Sequence, residues 1–310
     1  MPDTSNGSAP GLSFIVPAYN EEGAIIPTLE RLKAVLGTLD LANELIVVND
    51  GSTDATAERA LGVDGVHVVS HPINTGYGSA IKTGILTAKY EWIGIVDADG
   101  TYDIERLPEL VEKMQAGFEV AIAVRENVSE TDRFFKRLSR KVLVTFISVW
   151  VSGKIKDPNS GFRVFTKEFA MTFFPFLCDT FSFTTSSTIF ATGEGYFIAH
   201  IPMEYKPRVG KSKVRHFRDS LRMMQLILQG ITFFNPLKFF IILALMLVLG
   251  VLVPGFILEL AGLPRLAETY VVAGVMSCLL FGLGVIGDII RVASVNRTGK
   301  NRVFAKRVKG

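Results

Sequence analysis

Asp97-Ala98-Asp99 follows directly on the apolar run Trp92–Val96. Alternate side chains of an extended chain share a side, so both carboxylates can face one hard divalent cation. A cation there would neutralise a diphosphate that departs with negative charge. Two more polar clusters follow apolar runs: Pro17-Ala18-Tyr19-Asn20-Glu21-Glu22 and Asn49-Asp50-Gly51-Ser52-Thr53-Asp54. Asp50 suits either of two tasks, accepting hydrogen bonds from a base or ribose, or closing an Asx turn that caps the next helix. Asn74-Thr75-Gly76-Tyr77-Gly78-Ser79-Ala80 precedes a helical pattern and suits close approach to phosphate. Ile81, however, stands where a P-loop needs glycine before Lys82-Thr83 and where a dinucleotide fingerprint needs its third glycine, which disfavours ATPase and dehydrogenase chemistry. His67, His71, His200 and His216 lack metal-ligand spacing with another His or Cys and read as structural.

The elements that must position these residues are short and regular. Leu12–Val16, Glu44–Val48, Val66–Val69, Trp92–Val96 and Val120–Val124 have strand character, and helical patterns fall near Ala24–Leu36, Thr53–Leu61, Gly78–Lys89 and Ile104–Ala116. This alternation predicts an α/β domain with a mostly parallel sheet covered by helices on both faces, whose ligands bind beyond the carboxyl ends of the strands. All three acidic clusters sit at such ends. Phe173, Phe174, Phe176, Phe181 and Phe183 read as core or membrane-facing surface.

The chain is 48% hydrophobic, and the surplus lies in its last quarter. Phe239–Leu258 and Thr269–Gly287 run 20 and 19 residues without a charge, enough for two helices across a hydrocarbon core of about 30 Å. Pro254 and Gly255 are expected to kink the first. Basic residues flank the pair, with seven Lys/Arg and no acid from Arg291 to Gly310. The positive-inside rule then predicts a two-pass integral protein of the cell membrane with its large domain in the cytoplasm. Cys178 and Cys278 are 100 residues apart and do not suggest a disulfide framework. The expected boundaries are a disordered tail over 1–11, a catalytic domain over 12–213, an amphipathic interfacial helix over 214–235, two membrane helices over 236–290 and a basic cytoplasmic tail over 291–310. The apolar stripe Val214, Phe217, Leu221, Met224, Leu228 and Ile231 defines the interfacial helix, with Arg215, Arg218 and Arg222 beside it. A net charge of +3 gives no ground for a nucleic-acid partner, and a homo-oligomer stays open.

The ordered set Val16–Glu22, Asn49–Asp54, Asn74-Thr75-Gly76, Asp97-Ala98-Asp99 and Asp157-Pro158-Asn159-Ser160-Gly161-Phe162-Arg163 resembles family 2 glycosyltransferases of the GT-A fold. Within that family it is similar to the polyprenyl-phosphate hexosyltransferases, which include dolichol-phosphate mannose synthases and bacterial UDP-glucose counterparts. The resemblance covers roughly residues 12–215. It implies inverting transfer of a hexose from UDP-glucose or GDP-mannose to a dolichyl or undecaprenyl phosphate. It also implies that Pro17, Ala18, Tyr19, Glu21 and Asp50 cradle the nucleoside and that Asp97 and Asp99 bind Mg²⁺ or Mn²⁺. Arg208, Lys211 and Lys213 resemble a basic segment that closes over the donor diphosphate, and Arg125 with Arg137, Ser139 and Arg140 resembles the acceptor-phosphate site. Many mannose synthases carry Gln two residues after the second Asp as a metal contact, whereas this chain has Thr101, whose hydroxyl is the available substitute.

A phosphate acceptor is already deprotonated near neutral pH, so a strong general base is less necessary than for an alcohol. Asp157 is the candidate to orient the attack, with capping of its Asp-Pro turn as the alternative role. The cluster Lys136, Arg137, Arg140 and Lys141 suits an acceptor phosphate or a membrane-surface patch. Two rival functions are a processive polysaccharide synthase and an inactive membrane scaffold or nucleotide-sugar sensor. The first needs a Gln-x-x-Arg-Trp helix, yet neither Trp92 nor Trp150 follows an Arg. Retention of both carboxylates argues against the second.

Overall fold

The computed structural model describes residues 11–125, 156–204, 232, 235–262 and 267–295, and the side chains of the last segment over 270–290. The chain divides into two units, Met1–Leu226 and Ile227–Gly310.

The first unit opens with β1 (Leu12–Ala18), α1 (Ile25–Leu36), β2 (Asn43–Asn49), α2 (Thr56–Leu61), β3 (Val66–Ser70), α3 (Tyr77–Thr87) and β4 (Trp92–Ile95). A 3₁₀ turn (Ile104–Arg106) leads into α4 (Leu107–Gln115) and β5 (Val120–Arg125). Further along the chain come β6 (Arg163–Thr166), α5 (Lys167–Thr172), α6 (Phe183–Gly193) and β7 (Ile198–Met203). The strands form one sheet in the order β3-β2-β1-β4-β6-β5-β7. Pairings are parallel except those of β6, which runs antiparallel to β4 and β5 with Arg163 opposite Ile95 and Ile122. The strands and helices expected over residues 12–124 are present with small shifts at their ends, and the sheet is mostly parallel as expected.

Alternation along β1 explains why both faces are covered. Leu12, Phe14, Val16 and Ala18 join one core with Ile25, Leu29, Leu32 and Leu36 of α1 and Leu107, Leu110, Val111 and Met114 of α4. Ile15 points the other way and lies so close to α3 that a Cβ on Gly84 would sit 2.5 Å from its Cγ2. Each fully buried Leu, Ile or Phe in these layers contributes about 1.5–3 kcal/mol. Phe173 and Phe183 are buried, while Phe181 is 45% exposed.

In the second unit, α7 (Pro236–Leu247) passes through a π-helical segment (Val248–Leu252) into α8 (Val253–Leu260), and α9 spans Ala267–Val295. Asn235 caps α7 by accepting from Lys238 N at 3.0 Å, with Pro236 in the first turn where its missing N–H costs nothing. The wider π turn precedes Pro254, which cannot donate to the helical ladder. Pro236–Leu260 and Tyr270–Ile290 are each long and apolar enough to cross a membrane, with mean hydropathy 2.9 and 2.1. Their outer apolar side chains stay exposed (Leu249 67%, Val272 62%, Ile289 63%), unlike core helices of a water-soluble domain. They pack on each other through small residues: a Cβ on Gly255 or Gly284 would lie 2.9 Å from Tyr270 Cβ or Phe240 Cβ respectively.

Candidate active site

Strand direction decides which loops meet. β1, β2 and β4 run parallel, so Tyr19, Asp50 and Asp97 emerge at one rim. Because β6 is reversed, its start lies at that same rim, and it delivers Asp157–Phe162 beside the Asp97 turn. β5 ends there too, at Arg125.

The β1 and β2 turns are stitched together. Asn20 N donates to Ser52 Oγ (3.0 Å), Thr53 N to Asn20 Oδ1 (2.8 Å) and Glu21 N to Thr56 Oγ1 (2.8 Å). Asn20 adopts φ 50, a left-handed conformation that Asn tolerates. Asp50 is 3% exposed. Its Oδ1 accepts from Thr75 N (2.8 Å) and Thr75 Oγ1 (2.7 Å) and lies 2.8 Å from His71 Nδ1, and its Oδ2 accepts from Gly76 N (2.8 Å). Burial pushes this carboxyl up, but the donors from His71, Thr75 and Gly76 outweigh it and hold it below the ordinary value. Asp50 thereby fixes the glycine-rich turn to the end of β2. That turn is not open to phosphate at its glycines. A Cβ on Gly78 would lie 1.9 Å from the Cys178 carbonyl, one on Gly76 would lie 2.6 Å from that of Asp179, and Ser79 N donates to Asp179 O at 2.9 Å.

Each carboxylate of the Asp97/Asp99 pair is oriented by a hydroxyl. Tyr77 Oη donates to Asp97 Oδ1 at 2.7 Å, and Thr101 Oγ1 donates to Asp99 Oδ1 at 2.7 Å. The Asp97 carboxylate also lies against Gly161, where a Cβ would sit 2.5 Å from Oδ2. Gly161 N in turn donates to Tyr102 Oη at 2.7 Å. Among the described residues no group of three or more His, Cys, Asp or Glu converges. Two carboxylates at one strand end nevertheless fit a hard cation that takes its remaining ligands from diphosphate oxygens and water. Thr101 spends its proton on Asp99, so it shapes the pair.

Across the rim, Arg125 and Asp157 form a two-pronged ion pair, Nε–Oδ2 2.7 Å and Nη2–Oδ1 2.8 Å. Burial raises the Asp157 carboxyl, yet the Arg125 guanidinium holds it below its ordinary value. Beneath the same loop Arg163 is 1% exposed. It donates to Ser160 O (2.5 Å from Nη2), Pro158 O (3.3 Å), Thr184 O (3.0 Å), Ser187 Oγ (2.9 Å) and Thr188 Oγ1 (3.1 Å), all neutral oxygens. Burial lowers its guanidinium to about 10. The hydroxyl-rich start of α6 is thus the bed for a buried cation that stiffens the Asp157–Gly161 loop.

Of the residues singled out from the sequence, Pro17, Ala18, Tyr19, Glu21, Asp50, Asp97, Asp99, Arg125 and Asp157 all lie at this rim. Arg137, Ser139, Arg140, Arg208, Lys211 and Lys213 fall outside the described residues. Sequence reasoning gave no role to Tyr77, Tyr102 or Arg163 and treated His71 as structural.

Residues 13–177 match the family model described as Glycosyl transferase family 2. The chain is similar to the low-salt glycan biosynthesis hexosyltransferase Agl6 of Haloferax volcanii, at 29% identity over 71% of this chain and 54% of that protein. It is also similar to the dolichyl-phosphate beta-glucosyltransferase ALG5C of Trichomonas vaginalis, at 32% identity over 66% of each. The chain therefore spans about half to two thirds of the length of these relatives. Its fold matches glucosyl-3-phosphoglycerate synthase from Mycobacterium tuberculosis, solved with Mn²⁺, UDP-glucose and phosphoglyceric acid. That match has TM-score 0.57 and 20% identity over 72% of this chain and 80% of the other.

Proposed function

The chain belongs to glycosyl transferase family 2, and on that premise we propose that it moves a hexosyl group, with inversion, from UDP-glucose or GDP-mannose to a polyprenyl phosphate. The observation that carries this reading is the meeting at one rim of the Asp97/Asp99 pair with the paired Arg125 and Asp157. The named relatives, a hexosyltransferase and a dolichyl-phosphate glucosyltransferase, support the same class of reaction.

In this reading Pro17, Ala18, Tyr19, Glu21 and Asp50 line the nucleoside pocket, Asp50 by holding the 74–76 turn in shape. Asp97 and Asp99 would hold Mg²⁺ or Mn²⁺, which when bound supplies positive charge to the departing nucleoside diphosphate. Arg208, Lys211 and Lys213 close over the donor diphosphate. Arg125, with Arg137, Ser139 and Arg140, receives the acceptor phosphate, for which guanidinium forks are suited. Asp157 orients Arg125 toward that phosphate and, held ionised, leaves the attack to the phosphate oxygen itself.

In this reading the catalytic domain spans 12–213 and the two apolar helices over 236–290 form a two-pass membrane anchor; the interfacial helix expected over 214–235 lies, apart from residues 232 and 235, outside the described residues, as does the basic tail beyond 295. The basic flanks support a cytoplasmic side for the catalytic domain. The decisive experiment is a panel of nucleotide sugars with Mn²⁺, with and without polyprenyl phosphate, scored by release of nucleoside diphosphate. Release from one donor that requires the lipid phosphate is expected. Release indifferent to the lipid would overturn the acceptor assignment.

A further inference from the structure

The short turn between β3 and α3 ties together two acidic strand ends. Thr75 and Gly76 donate to Asp50 at the end of β2, and the next residue, Tyr77, donates to Asp97 Oδ1 at 2.7 Å beyond the end of β4. The Tyr77 ring is held in place from the other side, stacked on Phe181 with centroids 5.6 Å apart and planes 14° apart. The segment that carries Phe181 is itself seated on this turn, through Asp179 O on Ser79 N (2.9 Å) and Asp179 Oδ1 on Lys82 Nζ (2.6 Å). Gly161 lies close against the same Asp97 carboxylate. Rotation of that carboxylate would break a charge-assisted hydrogen bond and press it into the Gly161 backbone.

We propose that Tyr77 is a positioning residue whose hydroxyl fixes the Asp97 carboxylate in the orientation that receives a divalent cation together with a nucleoside diphosphate. The inference rests on the metal role of Asp97 and Asp99 proposed above and adds what sets their geometry. Thr101 does for Asp99 what Tyr77 does for Asp97, but Thr101 is a local partner two residues away. Tyr77 comes from a different element, so it also links the cation site to the Asp50 end of the pocket.

Hydrogen-bonding partners of metal-binding side chains typically change metal affinity 10- to 100-fold when removed. The test is Mn²⁺ binding by the purified full-length protein with saturating UDP or GDP, followed by the paramagnetic resonance signal of free Mn²⁺. Tyr77→Phe keeps the ring and its stack and removes one oxygen. It is expected to weaken Mn²⁺ binding about tenfold at an unchanged melting temperature, with turnover recovering at high Mn²⁺. In an Asp97→Asn background the same change should add no further loss. Wild-type Mn²⁺ affinity in Tyr77→Phe would overturn the inference while leaving the metal reading intact. A wild-type protein that binds no Mn²⁺ with either nucleotide would overturn the metal reading, and this inference with it.

Discussion

At the scale of single residues, charge and close contact do most of the work at the rim. Gly161 is the clearest case, because a methyl group there would lie 2.5–2.8 Å from the Asp97 carboxylate. Gly161→Ala should therefore displace that carboxylate and lower turnover at least about tenfold while the sheet stays folded, read as kcat beside a thermal melt. The Arg125–Asp157 pair makes a second prediction. With its carboxyl lowered in the fold, Asp157 contributes stability that is complete above its unfolded value of about 3.9 and is lost as pH falls through the depressed folded value. Stability from this pair should be level between about pH 5 and 8 and fall only in stronger acid. Arg125→Ala would strand a buried carboxylate and cost about 3 kcal/mol, and it should raise the lipid-phosphate requirement about ten- to a hundredfold without altering nucleotide affinity. Denaturant midpoints and kinetics on a short soluble polyprenyl phosphate separate the two effects. Unchanged kinetics there would make Arg125 a purely structural partner of Asp157. The carboxylates could be read from sequence because each ends an apolar run. Tyr77 and Arg163 could not, since Asp97 lies 20 residues from Tyr77 and the α6 oxygens that bed Arg163 lie 21–25 residues from it, and no spacing rule connects them.

At the scale of elements, the reversed strand β6 is what completes the site. Five strands and their helices are readable from β-branched runs alternating with helical stretches, but Arg163–Thr166 is only four residues long and begins with a buried cation. Nothing in such a segment announces its direction. Its reversal brings the Asp157–Gly161 loop to the rim, where an all-parallel connection would have carried it to the opposite edge. The glycine-rich turn was open to a phosphate role by composition, and the carbonyls of Cys178 and Asp179 fill that space instead. Gly78→Ala tests this docking: with backbone only 1.9 Å away, neither side can yield cheaply, and a loss of about 2–3 kcal/mol is expected in denaturant titration. A neutral outcome would mean that the 178–181 segment is not held against α3 as described.

At the scale of the whole molecule, the chain carries a glycosyl transferase family 2 domain and two helices of membrane length. The uninterrupted apolar runs made those helices readable, while their starts depended on caps such as Asn235 and Pro236 that hydropathy does not register. On the proposed function, confining enzyme and lipid acceptor to one surface would raise their effective concentration, and the helices would act by placement. A chain ending after Leu226 should still bind UDP or GDP with Mn²⁺ but lose transfer to long-chain acceptors in vesicles. Full activity on embedded acceptor without the helices would contradict that role. The central claim is tested most directly by following labelled hexose from UDP-glucose and GDP-mannose into the organic phase of vesicles containing polyprenyl phosphate. The account predicts one hexose per lipid from one of these donors, reduced at least about a hundredfold by chelator or by Asp99→Asn. Label that stays in water or enters a polymer, or transfer undiminished by both treatments, would contradict it.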